Sequence, residues 1–155
     1  MDDFSYVGKY RYFLTFSTFD RRRYFESSDV VELVRGQILR ATTEQQFSCI
    51  AYGYMPDHLH LLIEGVTDGA DLRVCIKAAK QYSGYYFKQR HGQQLWQRYG
   101  YEHVLRSDIE RATTLRYIID NPVDSGLAKK PEEYPFLGSD CYSLDELIQQ
   151  AAPRS

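Results

Sequence analysis

Two histidines separated by one leucine, His58-Leu59-His60, have residue types and a spacing suited to metal chemistry. Side chains two positions apart on a β-strand point to the same side, so both imidazoles would share one face with Leu62 and Glu64. Two neighbouring imidazoles can bind a divalent metal ion. Two histidines that only form a polar surface would have the same spacing. The motif therefore predicts either a metal site or a polar strand face.

A tyrosine and an amide fall on one face of a predicted helix. A capping box at Ser107 and Glu110 begins this helix, and Pro122 is expected to end it, because proline disfavours helical geometry in the residue before it. At about 100° per residue, the core stripe consists of Ala112, Leu115, Ile118 and Ile119. Tyr117 lies off this stripe, with Asn121 one turn later on the same side and Glu110 also on that face. The pair is either a nucleophile with a metal ligand, or a surface tyrosine with a helix-terminal asparagine.

The composition is that of one globular domain spanning residues 1–155, with a short tail from about residue 140. Of 155 residues, 43% are hydrophobic and 26% charged, which excludes disordered, collagen-like and coiled-coil chains. No apolar run approaches the roughly 20 residues of a membrane span. The first residues lack a secretory signal, and the three cysteines form no CxxC pair, so a cytoplasmic protein without a thiolate zinc site is expected.

The remaining chain predicts the elements that position these residues. Strands are expected at residues 10–19, 47–54 and 58–64, extended structure at 95–106, and helices at about 30–39, 70–90, 108–121 and 143–150. Antiparallel pairing in the order β-α-β-β-α-β-α predicts an α+β fold. We expect a ferredoxin-like sandwich, an antiparallel sheet with helices packed on one face.

The predicted helix at 70–90 carries a basic stripe. Its cations are Arg73, Lys77, Lys80 and Lys88, with Tyr82, Tyr85 and Tyr86 interleaved, and a basic turn follows the first strand at Arg21, Arg22 and Arg23. Cations contact phosphates and aromatic rings stack on bases, so such a stripe suits single-stranded nucleic acid. A solvated charged face has the same pattern. Trp96 either stacks on a base or belongs to the core, and the core is the commoner place for a lone tryptophan.

Several ordered motifs resemble one family. YMPDHLHLLI at residues 54–63 and YIIDNPV-x-x-GL at 117–127 resemble the IS200-like tyrosine transposases, and more closely the branch associated with repetitive extragenic palindromes (REP). LWQR through HVLR at 95–106 and PE-x-YP at 131–135 also resemble that branch. The resemblance extends from about residue 10 to residue 140.

The resemblance implies a His-hydrophobic-His nuclease on a ferredoxin-like fold. In that family the function is metal-dependent cleavage and rejoining of single-stranded or hairpin DNA through a 5′-phosphotyrosine. Carried onto this sequence, His58 and His60 would hold Mg²⁺ or Mn²⁺, and Tyr117 would be the nucleophile. Asn121 occupies the third-ligand position, where insertion-sequence members have glutamine. The partner would be DNA and not a membrane, and a homodimer and a monomer both stay open.

Two other classes of function compete with this interpretation. One is a DNA-binding protein with an inactive catalytic centre, and the other is a small metal-dependent hydrolase that uses the two histidines with Glu64. If Asn121 is only a helix terminus, Glu64 or Glu110 would have to supply the third ligand. His103 and Arg106 lie in a family-like segment, but their types and spacing assign them no role.

Overall fold

A five-stranded antiparallel sheet forms the centre of the computed structural model, which describes residues 4–154. The strands are β1 (Arg11–Ser17), β2 (Phe47–Met55), β3 (His58–Gly65), β4 (Tyr101–Leu105) and β5 (Leu137–Gly138). The α-helices are α1 (Ser28–Glu44), α2 (Leu72–His91), α3 (Asp108–Asp124) and α4 (Leu144–Gln150). Single 3₁₀ turns occupy Phe19–Arg21, Tyr24–Glu26 and Pro131–Glu133. Within residues 4–154, no helix is long and apolar enough to cross a membrane.

The strand order places the histidine motif in the middle of the sheet. The order is β4-β1-β3-β2-β5, and its first four strands with α1 and α2 have the ferredoxin-like arrangement. β3 pairs on one side with β2 across the tight turn at Pro56 and Asp57, and on the other side with β1. In the β1–β3 register, Thr15 lies opposite His60 and Ser17 lies opposite His58. The expected α+β class is confirmed.

The expectation that the helices pack on one face is corrected by a second core. α1 and α2 cover the sheet face that carries Leu59, Leu61 and Ile63, as expected. α3 and α4 cover the opposite face, where a separate cluster forms from Ile50, Ala51, Leu62, Leu105, Leu115, Ile118, Ile119, Leu137 and Leu147. The sheet face that carries the histidines therefore has enough apolar side chains, contributed by several strands, to bury a helix, and that helix is the one that carries Tyr117.

Two helix ends differ from the sequence prediction. α1 continues to Glu44 because Ala41 and Thr42 are still buried, beyond the last apolar residue of the predicted pattern. α3 does not end at Pro122 but includes it and ends at Asp124. Proline removes one backbone donor, but Pro122 is buried and its carbonyl accepts a hydrogen bond from the amide of Leu127 at 2.8 Å. Tertiary packing therefore carries the helix two residues past the proline.

Trp96 belongs to the core between the sheet and the helices α1 and α2. Its side chain is 6% exposed, and its indole N–H donates to Ser83 Oγ at 2.8 Å. The indole also packs against Phe16 and Phe25. The core interpretation of this residue is confirmed, and it is not available as a base-stacking residue.

Candidate functional site

His58 and His60 lie side by side on the α3 side of the central strand β3. Their ring centroids are 4.7 Å apart. His60 is 5% exposed, and His58, at the beginning of the strand, is partly exposed. Strand periodicity therefore puts both rings on one face, as the sequence predicted.

Each imidazole is held through its Nδ1 atom. Nδ1 of His60 lies 2.9 Å from Thr15 Oγ1, its cross-strand neighbour on β1, and Nδ1 of His58 lies 2.8 Å from Asp57 Oδ1. A carboxylate only accepts, so His58 carries its proton on Nδ1 when the ring is neutral. The same tautomer of His60 donates to the Thr15 hydroxyl and leaves Nε2 with a free lone pair. This is the arrangement in which outer contacts orient metal-binding histidines.

Burial keeps His60 neutral. Desolvation, and to a lesser degree the neighbouring His58, lowers the pKa of His60 to about 3. The ring is therefore an uncharged imidazole at neutral pH, which is the form that binds a metal ion.

Tyr117 projects from α3 over the histidines. Its ring centroid lies 5.4 Å from that of His60 and 5.9 Å from that of Phe13 on β1. The side chain is 49% exposed, whereas Leu115, Ile118 and Ile119 of the predicted stripe are buried. The helical-wheel prediction is thus confirmed, and the phenol stands between the histidine face and solvent.

Two buried polar atoms, one on β3 and one on α3, lack a partner within residues 4–154. Nε2 of His60 and Oδ1 of Asn121 are both buried, and neither makes a hydrogen bond. Buried polar atoms are nearly always paired, so two such atoms on the elements that carry His58 and Tyr117 call for an explanation. A nitrogen lone pair and an amide oxygen are both metal ligands. The residues present therefore fit a divalent cation.

The acidic candidates for a third ligand are engaged elsewhere. Glu64 Oε1 lies 3.5 Å from Arg111 Nε, and Glu110 Oε2 accepts from the backbone N–H of Arg106 at 2.6 Å. Among the described residues, no group of three or more His, Cys, Asp and Glu side chains is placed to hold a metal. The carboxylates of Glu64 and Glu110 thus already have partners, whereas His60 Nε2 and Asn121 Oδ1 have none within residues 4–154.

The basic turn after β1 supports His58 more directly than the sequence indicated. Nε of Arg21 lies 3.0 Å from Asp57 Oδ2, so Arg21, Asp57 and His58 form a chain of contacts. Arg23 pairs with Glu26 and lines a small cavity beside His58, while Arg22 is exposed. Of the three arginines expected to contact DNA, the structure therefore places Arg21 and Arg23 beside the histidine site.

The basic stripe of α2 lies away from the histidines. Arg73, Lys77 and Lys88 are exposed, whereas Lys80 is half-buried with Nζ 5.0 Å from the Phe16 ring centroid, and burial lowers its pKa. Tyr82 is not brought together with these cations. Its hydroxyl donates to Glu44 on α1 at 2.8 Å, and the guanidinium of Arg40 covers its ring.

A groove connects this stripe to the segment that leads into β4. Lys80 and Lys88 line it from α2, and Trp96 and Arg98 line it from the facing segment, around a volume of about 460 Å³. Arg98 was missed in the sequence because it stands alone, without helical spacing to place it.

Three supporting residues were also missed, namely Phe13, Thr15 and Asp57. Asp57 had a usable signal, since a carboxylate directly precedes the first histidine of the motif. Thr15 and Phe13 become recognisable only through the β1–β3 register.

Comparison with known proteins identifies the family. The family model for IS200-like transposases matches residues 6–121, which include His58, His60, Tyr117 and Asn121. A Haemophilus influenzae protein assigned as a REP-associated tyrosine transposase is 27% identical over 137 residues, which are 81% of this chain and 77% of that protein.

Two solved structures share the fold. A REP-associated tyrosine transposase bound to a REP hairpin superposes with a TM-score of 0.74 at 22% identity, over 88% of this chain and 82% of that chain. A protein from Deinococcus radiodurans assigned as a transposase superposes with a TM-score of 0.57 at 23% identity, over 76% of this chain and 95% of that chain. The resemblance to the REP-associated branch is confirmed. This chain belongs to the IS200-like transposase family.

Proposed function

We propose that this transposase-family protein cleaves and rejoins single-stranded DNA through a covalent 5′-phosphotyrosine on Tyr117. The observation that carries the proposal is the position of the Tyr117 ring, half-exposed and 5.4 Å from the His60 ring, whose Nε2 has no hydrogen-bond partner among the described residues. A nucleophile and a set of metal ligands on the same side of the sheet can act on one phosphodiester.

His58, His60 and Asn121 would hold the ion, Mg²⁺ or Mn²⁺. Bound there, it would act as a Lewis acid on the scissile phosphate. Two imidazoles favour Mn²⁺ on affinity, and cellular availability favours Mg²⁺. The residues behind the ligands, Thr15 and Asp57, keep the two rings oriented for that purpose.

Tyr117 would be the nucleophile. Its phenolic oxygen attacks the phosphorus, the bond from phosphorus to the 3′ oxygen breaks, and the DNA remains on the enzyme as a 5′-phosphotyrosine. The phenol loses its proton to solvent, and the departing 3′ oxygen takes one up. The phosphodiester is replaced by another phosphodiester, so a 3′-OH can reverse the step without ATP.

The substrate class follows from the open site and the basic groove. Tyr117 is half-exposed, so a DNA strand can bring a phosphate to it from solvent. The cations Lys77, Lys88 and Arg98 offer contacts to the phosphates of the same molecule. The REP hairpin bound by the structurally similar transposase supports hairpin DNA with single-stranded flanks as the substrate.

An adduct assay tests the proposal. The protein is incubated with hairpin DNA carrying labelled single-stranded flanks and Mn²⁺, and the products are separated on a denaturing gel. We expect a protein–DNA band that Tyr117→Phe abolishes and Tyr142→Phe, a change at an exposed tyrosine outside α2, preserves. Binding without an adduct would show an inactive DNA-binding protein, and cleavage without an adduct would show a hydrolase. The pairing of Glu64 with Arg111 speaks against the hydrolase.

A further inference from the structure

We infer that Tyr101 and His103 of β4 form a stacking platform for a nucleobase of the single strand next to the scissile phosphate. These two residues are called the β4 aromatic pair. The inference rests on the proposed function, since it gives the flanking DNA its place beside Tyr117.

The β4 aromatic pair has the geometry of a recognition surface and not of a core. The two rings are nearly parallel, with an angle of 19° between their planes and 6.5 Å between their centroids. Tyr101 is 53% exposed, and His103 is exposed as well. Exposed tyrosines also occur elsewhere on this chain, but here two parallel rings stand side by side in a patch that continues through Phe13 and Tyr117, and a contiguous exposed apolar patch is typical of a binding surface.

Strand register connects the pair to the histidine site. Thr15 of β1 lies opposite Tyr101 on one side and opposite His60 on the other, so these residues form one row across three strands. Strands are spaced by about 4.8 Å, which puts the Tyr101 backbone about 10 Å from that of His60.

Phe13 joins the two parts of this surface. Its ring centroid lies 5.9 Å from that of Tyr101, 5.3 Å from that of His60 and 5.9 Å from that of Tyr117. A continuous aromatic surface thus runs from the nucleophile to the edge of the sheet. A strand whose phosphate is at Tyr117 would lay a neighbouring base on the β4 aromatic pair.

The charges around the pair favour a base over a phosphate. Arg11, on the same side of the sheet, is paired with Asp108 at 2.7 Å. Glu102, between the two aromatic residues, lies on the other side of the strand, where it lines a cavity with Lys80. Ring faces stack on any base, so the platform would accept single strands without reading their sequence.

The test compares two fluorescent probes of equal length, a short oligothymidylate and a chain of abasic deoxyribose phosphates. Both are titrated in EDTA in the Tyr117→Phe background, so that neither cleavage nor a metal contributes. The abasic chain keeps the phosphates and lacks the bases. The Tyr117→Phe protein should bind the oligothymidylate more tightly than the abasic chain. Adding Tyr101→Ala should lower this ratio of affinities about 5- to 150-fold, the usual range for one base–aromatic stack. His103→Ala should lower it as well.

Three further variants separate stacking from other causes. Tyr101→Phe and Tyr101→Trp should retain the preference, because each keeps a ring. Tyr142→Ala, at the opposite edge of the sheet, should leave it unchanged. Lys88→Gln should weaken both probes alike, since it removes a charge and no stacking surface.

An unchanged preference in Tyr101→Ala and His103→Ala overturns the platform, even if the adduct assay succeeds. If these variants sediment differently from the parent but keep its preference for the oligothymidylate, the platform is also overturned. That result would assign the pair to an interface between two copies of the chain. A lost preference together with a failed adduct assay would keep the platform and remove the proposed chemistry.

Discussion

Asp57 holds His58 from behind, with Oδ1 2.8 Å from the Nδ1 of the ring and Oδ2 3.0 Å from the Nε of Arg21. Burial alone would raise the pKa of Asp57, but the hydrogen bonds from Arg21 and His58 keep it below its usual value. The carboxylate is therefore ionised at neutral pH and accepts from both neighbours. This arrangement fixes the ring orientation and leaves the Nε2 lone pair of His58 free to bind a metal ion.

The first prediction concerns this carboxylate. Asp57→Asn should weaken Mn²⁺ binding about 10- to 100-fold, the usual effect of losing an outer contact to a ligand. Isothermal titration calorimetry measures the affinity, and Asp68→Asn, in an exposed loop, is the matched control. Arg21→Gln should have a smaller effect in the same direction. Equal affinities of Asp57→Asn and the parent would show that His58 needs no support.

The second prediction concerns the histidines themselves. His58→Ala and His60→Ala should each abolish measurable Mn²⁺ binding in the same calorimetric assay, because two ligands on one strand act as a unit. His91→Ala removes an exposed histidine at the end of α2 and should bind like the parent. If either active-site variant keeps the parent's affinity, the metal binds elsewhere.

Strand and helix periodicity were sufficient to predict the two halves of this site separately. The alternation around His58 and the helical wheel around Tyr117 gave the correct face of each element, because both depend only on local geometry. The short distance between the Tyr117 ring and the histidines depends on the packing of α3 against the histidine face, which local sequence patterns do not encode. For the same reason, charge and spacing alone do not predict that Arg21 contacts Asp57 or that Tyr82 contacts Glu44, because each partner comes from a distant part of the chain.

The third prediction concerns Asn121, whose Oδ1 is buried and makes no hydrogen bond within the described chain. Asn121→Ala should weaken Mn²⁺ binding about 10- to 100-fold, and adduct formation should fall with it. Asn121→Asp should retain or strengthen binding, because a carboxylate is the better ligand for a hard cation. If the alanine variant keeps both the affinity and the adduct, Asn121 is no ligand.

The fourth prediction is a loss of stability in mild acid for the metal-free protein. The unfolded chain protonates His60 near pH 6.5, whereas the folded protein does so only near pH 3. The unfolded state therefore takes up the proton first, and the free energy of unfolding falls as the pH is lowered through this window. The slope should approach about 1 kcal/mol per pH unit between about pH 6 and pH 4.5.

Urea denaturation at several pH values in EDTA measures this slope. His60→Gln should flatten it, since glutamine does not titrate, and His91→Gln should leave it as in the parent. A slope that is equally steep in His60→Gln would assign the acid sensitivity to other groups.

The fifth prediction concerns the exposed cations of α2. Replacing Arg73, Lys77 and Lys88 with glutamine should weaken binding to a single-stranded oligonucleotide and flatten its salt dependence. Each lost phosphate contact removes about 0.7 from the slope of log affinity against log salt concentration, so the triple variant should lose about 2. Lys80 is kept, because it is half-buried against Phe16 and its replacement would also disturb packing.

The control for the fifth prediction removes positive charge from another surface. Lys129→Gln with Lys130→Gln neutralises two exposed lysines in the segment after α3, so it changes the net charge without touching α2. A general effect of net charge would shift the affinity in both variants, whereas direct phosphate contacts change the salt slope only in the α2 variant. An unchanged slope in the α2 variant would mean that this face is only solvated. The arginines around the histidine site and Arg98 in the groove would then be the residues that bind the DNA phosphates.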